Sequence, residues 1–315
     1  MPNIDEPQND PGSSRPHSSV LLNESMTLLA PSPGQCFADC TLGAGGHSEA
    51  LIRAIAPNGR LIGLDVDPQA LELARVHLTP LAEALRVRLD LIQANFSQLG
   101  SILDVHPHGI LADLGVSSMQ LNQPNRGFSF RFDQPLDMRM DPTLSITAAD
   151  ILRDYSEEQI ADIIYQFGEE HKSRRIARAI VYQRKTTPIN TTGQLEQLVR
   201  RALRVRERRR IHPATKTFQA LRLAVNREME CLAAFLKTAP ELLAPGGSLA
   251  MITFHSLEDR QVKQHYKALA QTGRFQQTVK FVRPGPEELL QNPRSRSAKL
   301  RVVKRQTLNV EPCGV

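Results

Sequence analysis

Cysteine is scarce in this chain: four in 315 residues, with no CxxC pair and no Cys/His group at zinc-finger spacing. Cys36 and Cys40 stand four apart, Cys231 is remote and Cys313 lies near the end, so no metal site is expected. No apolar run approaches the roughly 18 residues a membrane helix needs, which excludes a transmembrane protein. The first ten residues, MPNIDEPQND, lack the basic start and apolar core of a secretory signal. Reduced thiols and a cytoplasmic location follow as expectations, and Cys36 and Cys40 read as small hydrophobes in a buried strand.

What is present resembles an ordinary globular protein, with 41% hydrophobic and 23% charged residues. The length suits one large domain and a smaller one. Lys+Arg 39 against Asp+Glu 33 gives a net charge of +6, which permits an anionic partner without requiring one. The charge is unevenly spread. Residues 171–216 hold 14 Lys/Arg against Glu196 and Glu207, a local balance of +12, which leaves −6 for the rest. Arg204, Arg206, Arg208, Arg209 and Arg210 crowd one end of that stretch, and planar guanidinium forks suit phosphate. A solvated helix face is the plainer reading of the same charges. A second basic stretch, 294–305, has six Lys/Arg and no acid.

Residues 1–16, rich in Pro, Asn, Asp, Ser and Gly, read as a disordered tail. From 36 to 118 short apolar runs (36–42, 60–67, 87–94, 109–115) alternate with helical stretches (48–55, 68–78, near 96–103), the pattern of right-handed βαβ units and a parallel sheet. Residues 145–207 contain no convincing strand. Ser156-Glu-Glu-Gln159 and Thr191-Thr-Gly-Gln194 are capping boxes before helical periodicity. A long helical pattern over 215–243 precedes a strand at 247–254 and a helix at 257–269. Residues 298–304 alternate like an antiparallel edge strand. A helical segment is thus inserted into a doubly wound domain, between its fourth and fifth strands.

Asp39-Cys-Thr-Leu-Gly43-Ala-Gly45-Gly46-His47 follows the first strand and opens a helix, where glycines let a ligand approach the backbone. The dinucleotide fingerprint G-x-G-x-x-G/A fails at its last position, Ser48, and an NAD-dependent dehydrogenase would need it. Asp39 ahead of the glycines suits a cationic amino group. Asp65 ends the second strand, 22 residues after Gly43, where a carboxylate accepts ribose hydroxyls; a helix cap is its other reading, but Asp67-Pro68 already supplies one. Together these favour S-adenosylmethionine over NAD. Asp113-Leu-Gly-Val-Ser-Ser118 ends the fourth strand at the position where open α/β sheets bind ligands. Phe128, Phe130 and Phe132 alternate in a loop and read either as core or as a stack for an extruded base. His255 and Ser256 end the fifth strand and either line the same pocket or are satisfied strand-end groups.

Several ordered motifs carry a resemblance over nearly all of residues 17–305. They are His17-Ser-Ser-Val-Leu-Leu-Asn-Glu24, Gly43-Ala-Gly-Gly-His47, Asp113-Leu-Gly-Val-Ser-Ser118, Arg126-Gly-Phe-Ser-Phe130 and Pro135-Leu-Asp-Met-Arg-Met-Asp-Pro142. His212-Pro-Ala-Thr215, Phe254-His-Ser-Leu-Glu-Asp-Arg260 and Asn292-Pro-Arg-Ser-Arg296 complete the set. The sequence resembles the RsmH (MraW) family, S-adenosylmethionine-dependent methyltransferases of the exocyclic N4 of a cytidine in the decoding region of 16S ribosomal RNA. The resemblance implies an α/β, Rossmann-like class I S-adenosylmethionine-dependent methyltransferase fold, a mostly parallel sheet with an antiparallel edge strand, carrying an inserted all-helical domain. It implies a methyltransferase domain of residues 17–125 and 211–315 and a substrate-recognition insertion of 126–210. It assigns cofactor binding to Gly45, Gly46, His47, Asp65, Phe96, Asp113 and Gln120. Many amino-methyltransferases carry a D/N-P-P-Y/F motif after the fourth strand; this chain has Asp113-Leu-Gly-Val instead, so the aromatic that stacks on a flipped base is missing there, and Asp113 is either the candidate catalytic acceptor for the amine or a cofactor contact alone. The implied partner is 16S ribosomal RNA or the small subunit. The sequence leaves a homodimer open, and a non-catalytic ribosome-assembly protein is the rival that the intact glycine loop opposes.

Overall fold

A computed structural model describes residues 19–204 and 212–307. The tail expected at 1–16 and the arginine run at 206–210 lie outside the described residues. The chain begins α1 (Leu22–Leu29), β1 (Cys36–Asp39), α2 (Gly46–Ile55), β2 (Arg60–Asp65), α3 (Pro68–Ala84), β3 (Arg88–Gln93), α4 (Leu99–Ile102) and β4 (Gly109–Asp113). Among the described residues, only helices separate β4 from the next strand. They are α5 (Ser118–Asn122), α6 (Ala148–Asp154), α7 (Glu157–Gly168), α8 (Ser173–Arg184), α9 (Thr192–Leu203), α10 (Thr215–Val225) and α11 (Glu228–Leu242). The remainder is β5 (Ser248–Thr253), α12 (Ser256–Gln271), β6 (Phe275–Val282), α13 (Pro286–Gln291) and β7 (Lys299–Arg305).

The seven strands form one sheet in the order β3-β2-β1-β4-β5-β7-β6. β1 to β5 are parallel; β7 runs antiparallel to β5, and β6 to β7. The sheet is of the class I methyltransferase kind. The strand expected at the edge, 298–304, is antiparallel as read but lies one place inside it; β6 is the edge. β7 tolerates an interior place because its charge is matched there. Arg301 is buried, with its Nε 2.8 Å from Asp259 and its guanidinium also on the Lys280 carbonyl. Only tertiary structure supplies those partners.

Parallel strands covered on both faces read as continuous apolar runs, and every residue of β5 is buried. Leu51, Ile52 and Leu78 from α2 and α3 pack with Phe37 and Ile252 on one face. Phe235, Leu236 and Tyr266 from α11 and α12 pack with Ile110 and Met251 on the other. Each such side chain contributes about 1.5–3 kcal/mol by leaving water. Asp67 caps α3 by accepting from the Gln69 N–H, with Pro68 at the first turn.

Both capping boxes form as read, Ser156 with Gln159 and Thr191 with Gln194. The helix expected over 215–243 is instead two, broken at Asn226 and Arg227, where Arg227 has φ 49°. Asn226 explains the break. Its Oδ1 accepts from the Met140 N–H at 2.7 Å and its Nδ2 donates to the Met138 carbonyl at 2.8 Å, pinning a distant loop. The two halves serve different cores: Phe218, Leu221 and Val225 of α10 join Ile160, Ile164 and Ile180, whereas α11 covers the sheet. We propose that the helical unit spans residues 126–225.

Candidate active site

The carboxyl ends of β1, β2, β3 and β4 gather the candidate residues, and the strand order reverses between β1 and β4. A ligand crevice belongs at that point. The loop leaving β1 requires glycine. Gly43 has φ 52° and Gly45, preceding α2, has φ 86°. A Cβ on Gly45 would crowd Leu78 at 3.1 Å, and one on Gly46 would collide with Ser19 Oγ. Gly43 N–H donates to Asp65 Oδ2 at 2.8 Å, while Asp67 N–H donates to Asp65 Oδ1 at 2.9 Å. Asp65 is thus aimed by two backbone donors, each oxygen keeping acceptor capacity for a hydroxyl. Burial raises its carboxyl above the ordinary range.

Asp39 is buried and accepts from Ser48 Oγ at 2.7 Å and Thr41 N–H at 3.2 Å; burial pushes its carboxyl up to about 6. Asp113 is held from behind, its N–H donating to Thr41 Oγ1 at 2.6 Å. Its Oδ1 is buried and has no hydrogen-bond partner among the described residues, and its Oδ2 lies 3.9 Å from His47 Nδ1. Burial, then the charges of Asp39 and Glu258, pushes the Asp113 carboxyl well up. His47 Nε2 sits 3.1 Å from the Val20 carbonyl. Because a carbonyl only accepts, Nε2 carries the hydrogen and Nδ1 faces Asp113.

Phe96 begins the turn after β3 and stands edge-on to Phe235, with ring centroids 5.2 Å apart at 85°. Gln120 is buried, and its Nε2 donates to Asp67 Oδ2 at 3.1 Å. Asp67, fully buried, also accepts from Arg126 Nη2 at 2.9 Å. The sequence reading gave Asp67 its cap but missed this second role; the acid-to-arginine link spans 59 positions and has no local signal.

His255 precedes α12, and its Nε2 is 3.0 Å from Glu258 Oε1. Burial would raise Glu258, but His255 and Arg222 hold it below the ordinary range. Ser256 Oγ donates to Glu169 instead of facing the crevice. The three loop phenylalanines separate. Phe128 is buried, Phe130 packs 4.6 Å from His212 and 4.9 Å from Phe218, and Phe132 is 79% exposed.

Residues 14–306 match the model of the MraW methylase family. The chain belongs to the MraW methylase family. It is 45% identical over 295 residues to the ribosomal RNA small subunit methyltransferase H of Acidobacterium capsulatum, covering 92% of this chain and 98% of the relative. It is 50% identical over 291 residues to the protein of the same name from a Cyanothece species, covering 92% and 94%. A solved rRNA methylase from Streptococcus thermophilus superposes with a TM-score of 0.44 at 11% identity, covering 91% of this chain and 98% of that one.

As a member of this family the protein is a methyltransferase that uses S-adenosylmethionine. The crevice fits that cofactor on its own chemistry. Asp113 Oδ1, buried with no hydrogen-bond partner among the described residues, and the buried Asp39 carboxyl are groups that a nearby cation would stabilise in their ionised forms.

Proposed function

We propose that this protein methylates the exocyclic N4 of a cytidine in the decoding region of 16S ribosomal RNA. The observation that carries the reading is the unpartnered Asp113 Oδ1 at the switch point of the sheet, in a chain 45% identical to a named ribosomal RNA small subunit methyltransferase H. When bound, S-adenosylmethionine supplies an electrophilic methyl on a positively charged sulfur. Asp65 accepts the ribose hydroxyls, residues 43–47 approach the cofactor along their backbone, Phe96 lines the adenine side, and Gln120 supports the crevice from behind Asp67.

The amine of cytosine is a weak nucleophile because its lone pair is delocalised into the ring. Asp113 Oδ1 would accept one amine N–H, which localises the lone pair, and would take the proton that the nitrogen gives up in exchange for the methyl group. A carboxyl raised by burial is a stronger base than a solvated one, and the neighbouring positive charge favours the ionised form the step requires.

The insertion supplies the basic surface. Arg174, Arg175 and Arg178 are exposed on α8, with Tyr182 74% exposed one turn beyond Arg178. Arg184 is excluded from that surface: its Nη1 donates to the Leu152 and Tyr155 carbonyls at 2.7 Å and ties α8 to α6. Nucleoside mass spectrometry of small-subunit RNA, with and without the protein, tests the function. A gain of N4-methylated cytidine is expected; no change overturns the reading.

A further inference from the structure

The peptide group between Val20 and Leu21, just ahead of α1, is gripped from both ends. Its N–H donates to Glu288 Oε1 of α13 at 2.9 Å, across 267 positions of chain. Its carbonyl faces His47 Nε2 of α2 at 3.1 Å. The N–H and C=O of one trans peptide point in opposite directions, so Glu288 and His47 fix a single plane between them. Hydrogen bonds chained through one group in this way polarise one another.

The backbone shows which orientation that grip selects. Leu21 is fully buried, with φ 53° and ψ 36°, the left-handed region that a branched side chain seldom adopts. Turning the Val20–Leu21 peptide over would return φ of Leu21 to the ordinary negative range. It would also swing the carbonyl away from His47 and the N–H away from Glu288. Val20 and Leu21 pack with Leu29, Ile252 and Leu300, but apolar packing is non-directional and does not orient a peptide dipole. The strained orientation is the one the two polar side chains demand together.

The far side of the imidazole faces the crevice. With the hydrogen on Nε2, the nitrogen 3.9 Å from Asp113 Oδ2 is a bare Nδ1. A hydrogen on Nδ1 would instead point a donor at the Asp113 carboxylate and weaken it as a base. We propose that Glu288 is a positioning residue for methyl transfer: through the Val20–Leu21 peptide it sets the His47 imidazole and decides which nitrogen faces Asp113. Glu288 acts only through His47, and its role rests on the reading of Asp113 as the acceptor for the amine.

The test uses the full-length protein with isotope-labelled histidine nitrogens, the His47 signals being identified by their loss in His47→Asn. Glu288→Leu keeps the bulk and lacks an acceptor for Leu21, whereas Glu288→Gln keeps the acceptor. At about pH 8, above the histidine range, the wild type and Glu288→Gln show a protonated Nε2 and a bare Nδ1 at His47. Glu288→Leu shows a mixture of the two tautomers. Misplacing a group at the reacting centre by about an ångström costs up to about 100-fold, so kcat on small ribosomal subunits falls roughly 10–100-fold in Glu288→Leu and returns to within about three-fold of wild type in Glu288→Gln. A wild type with its hydrogen on Nδ1, unchanged His47 signals in Glu288→Leu, or a Glu288→Gln enzyme as slow as Glu288→Leu overturns the proposal. Glu288→Asp, one methylene shorter, repeats the comparison if Glu288→Leu shows no cooperative melting. The nitrogen signals are read without turnover, so they decide the placement of His47 even if the cytidine reading fails.

Discussion

Replacing Arg126 by Met tests whether the brace behind the cofactor crevice is electrostatic. The Asp67 side chain is 1% exposed and that of Arg126 is 17% exposed. The Arg126 Nη2 bonds Asp67 at 2.9 Å and the carbonyls of Arg139 and Met140 at 3.2 and 3.1 Å. Removing one partner of a buried pair costs about 3–5 kcal/mol because a charge is stranded. Here Asp67 keeps the Gln120 amide and the Gln69 N–H, so the expected loss is roughly 2–3 kcal/mol. At about 2–4 °C per kcal/mol, the melting temperature falls roughly 4–12 °C. Because Asp67 N–H also orients Asp65, the dissociation constant for S-adenosylhomocysteine, read by titration calorimetry, rises on the order of ten-fold. Asp67→Asn in the Arg126→Met background removes the stranded charge and recovers at least half of the lost stability. A double variant as unstable as the sum of the two single losses would refute the electrostatic account, since coupling between contacting groups must appear as non-additivity.

Asp113→Asn keeps the shape of the crevice but not the base; turnover falls at least ~100-fold, well beyond any loss of S-adenosylhomocysteine affinity, and a loss of turnover no larger than the loss of binding would leave the residue a cofactor contact alone. Burial raises Asp39 to about 6, so its contribution to stability is present at low pH and lost as pH rises from about 4 through 6; Asp39→Asn therefore melts higher than wild type at pH 8 but not at pH 4.5, and equal shifts at both would contradict the cause. Arg174→Glu with Arg175→Glu weakens RNA binding and flattens its salt dependence by roughly 0.7 per lost phosphate contact, with cofactor affinity unaltered; an unchanged salt slope removes α8 from the RNA surface.

The parts of this protein that sequence makes legible are those whose cause is local. Gly43 and Gly45 announce a loop that only positive φ can build. Asp67-Pro68 and the two capping boxes announce helix starts, because a side chain three residues away satisfies the free N–H groups. What stays hidden has its cause at long range. The break at Asn226 interrupts an unbroken apolar periodicity, and its reason is 86 residues away at Met140. β7 looks like an edge strand because Arg301 looks like a solvent-facing residue; Asp259, on the helix α12, makes it an interior one. β6 itself, with Gln276, Gln277 and Thr278 in succession, carries little apolar alternation to read. Gln120 fits the family's cofactor pattern, yet its amide meets Asp67, a partner that appears only once α5 folds against α3.

The division of charge has a physical reason in this arrangement. In the role proposed above, Asp39, Asp65 and Asp113 would act on a cationic cofactor only if no guanidinium neutralised them first. Arginines placed among them would pair with the carboxylates, and RNA phosphate would then have to compete for both. Separating a +12 stretch from the sheet keeps the two electrostatic tasks apart. The cost is that the two units must be held in register, and the contacts that do so are themselves charged. Glu169, just after α7, receives Ser256 Oγ and pairs with Arg260 of α12 at 2.8 Å. Arg126 reaches from the other side to Asp67. Carboxylates therefore serve both as the acidic floor of the crevice and as the fixed points to which the basic unit is tied.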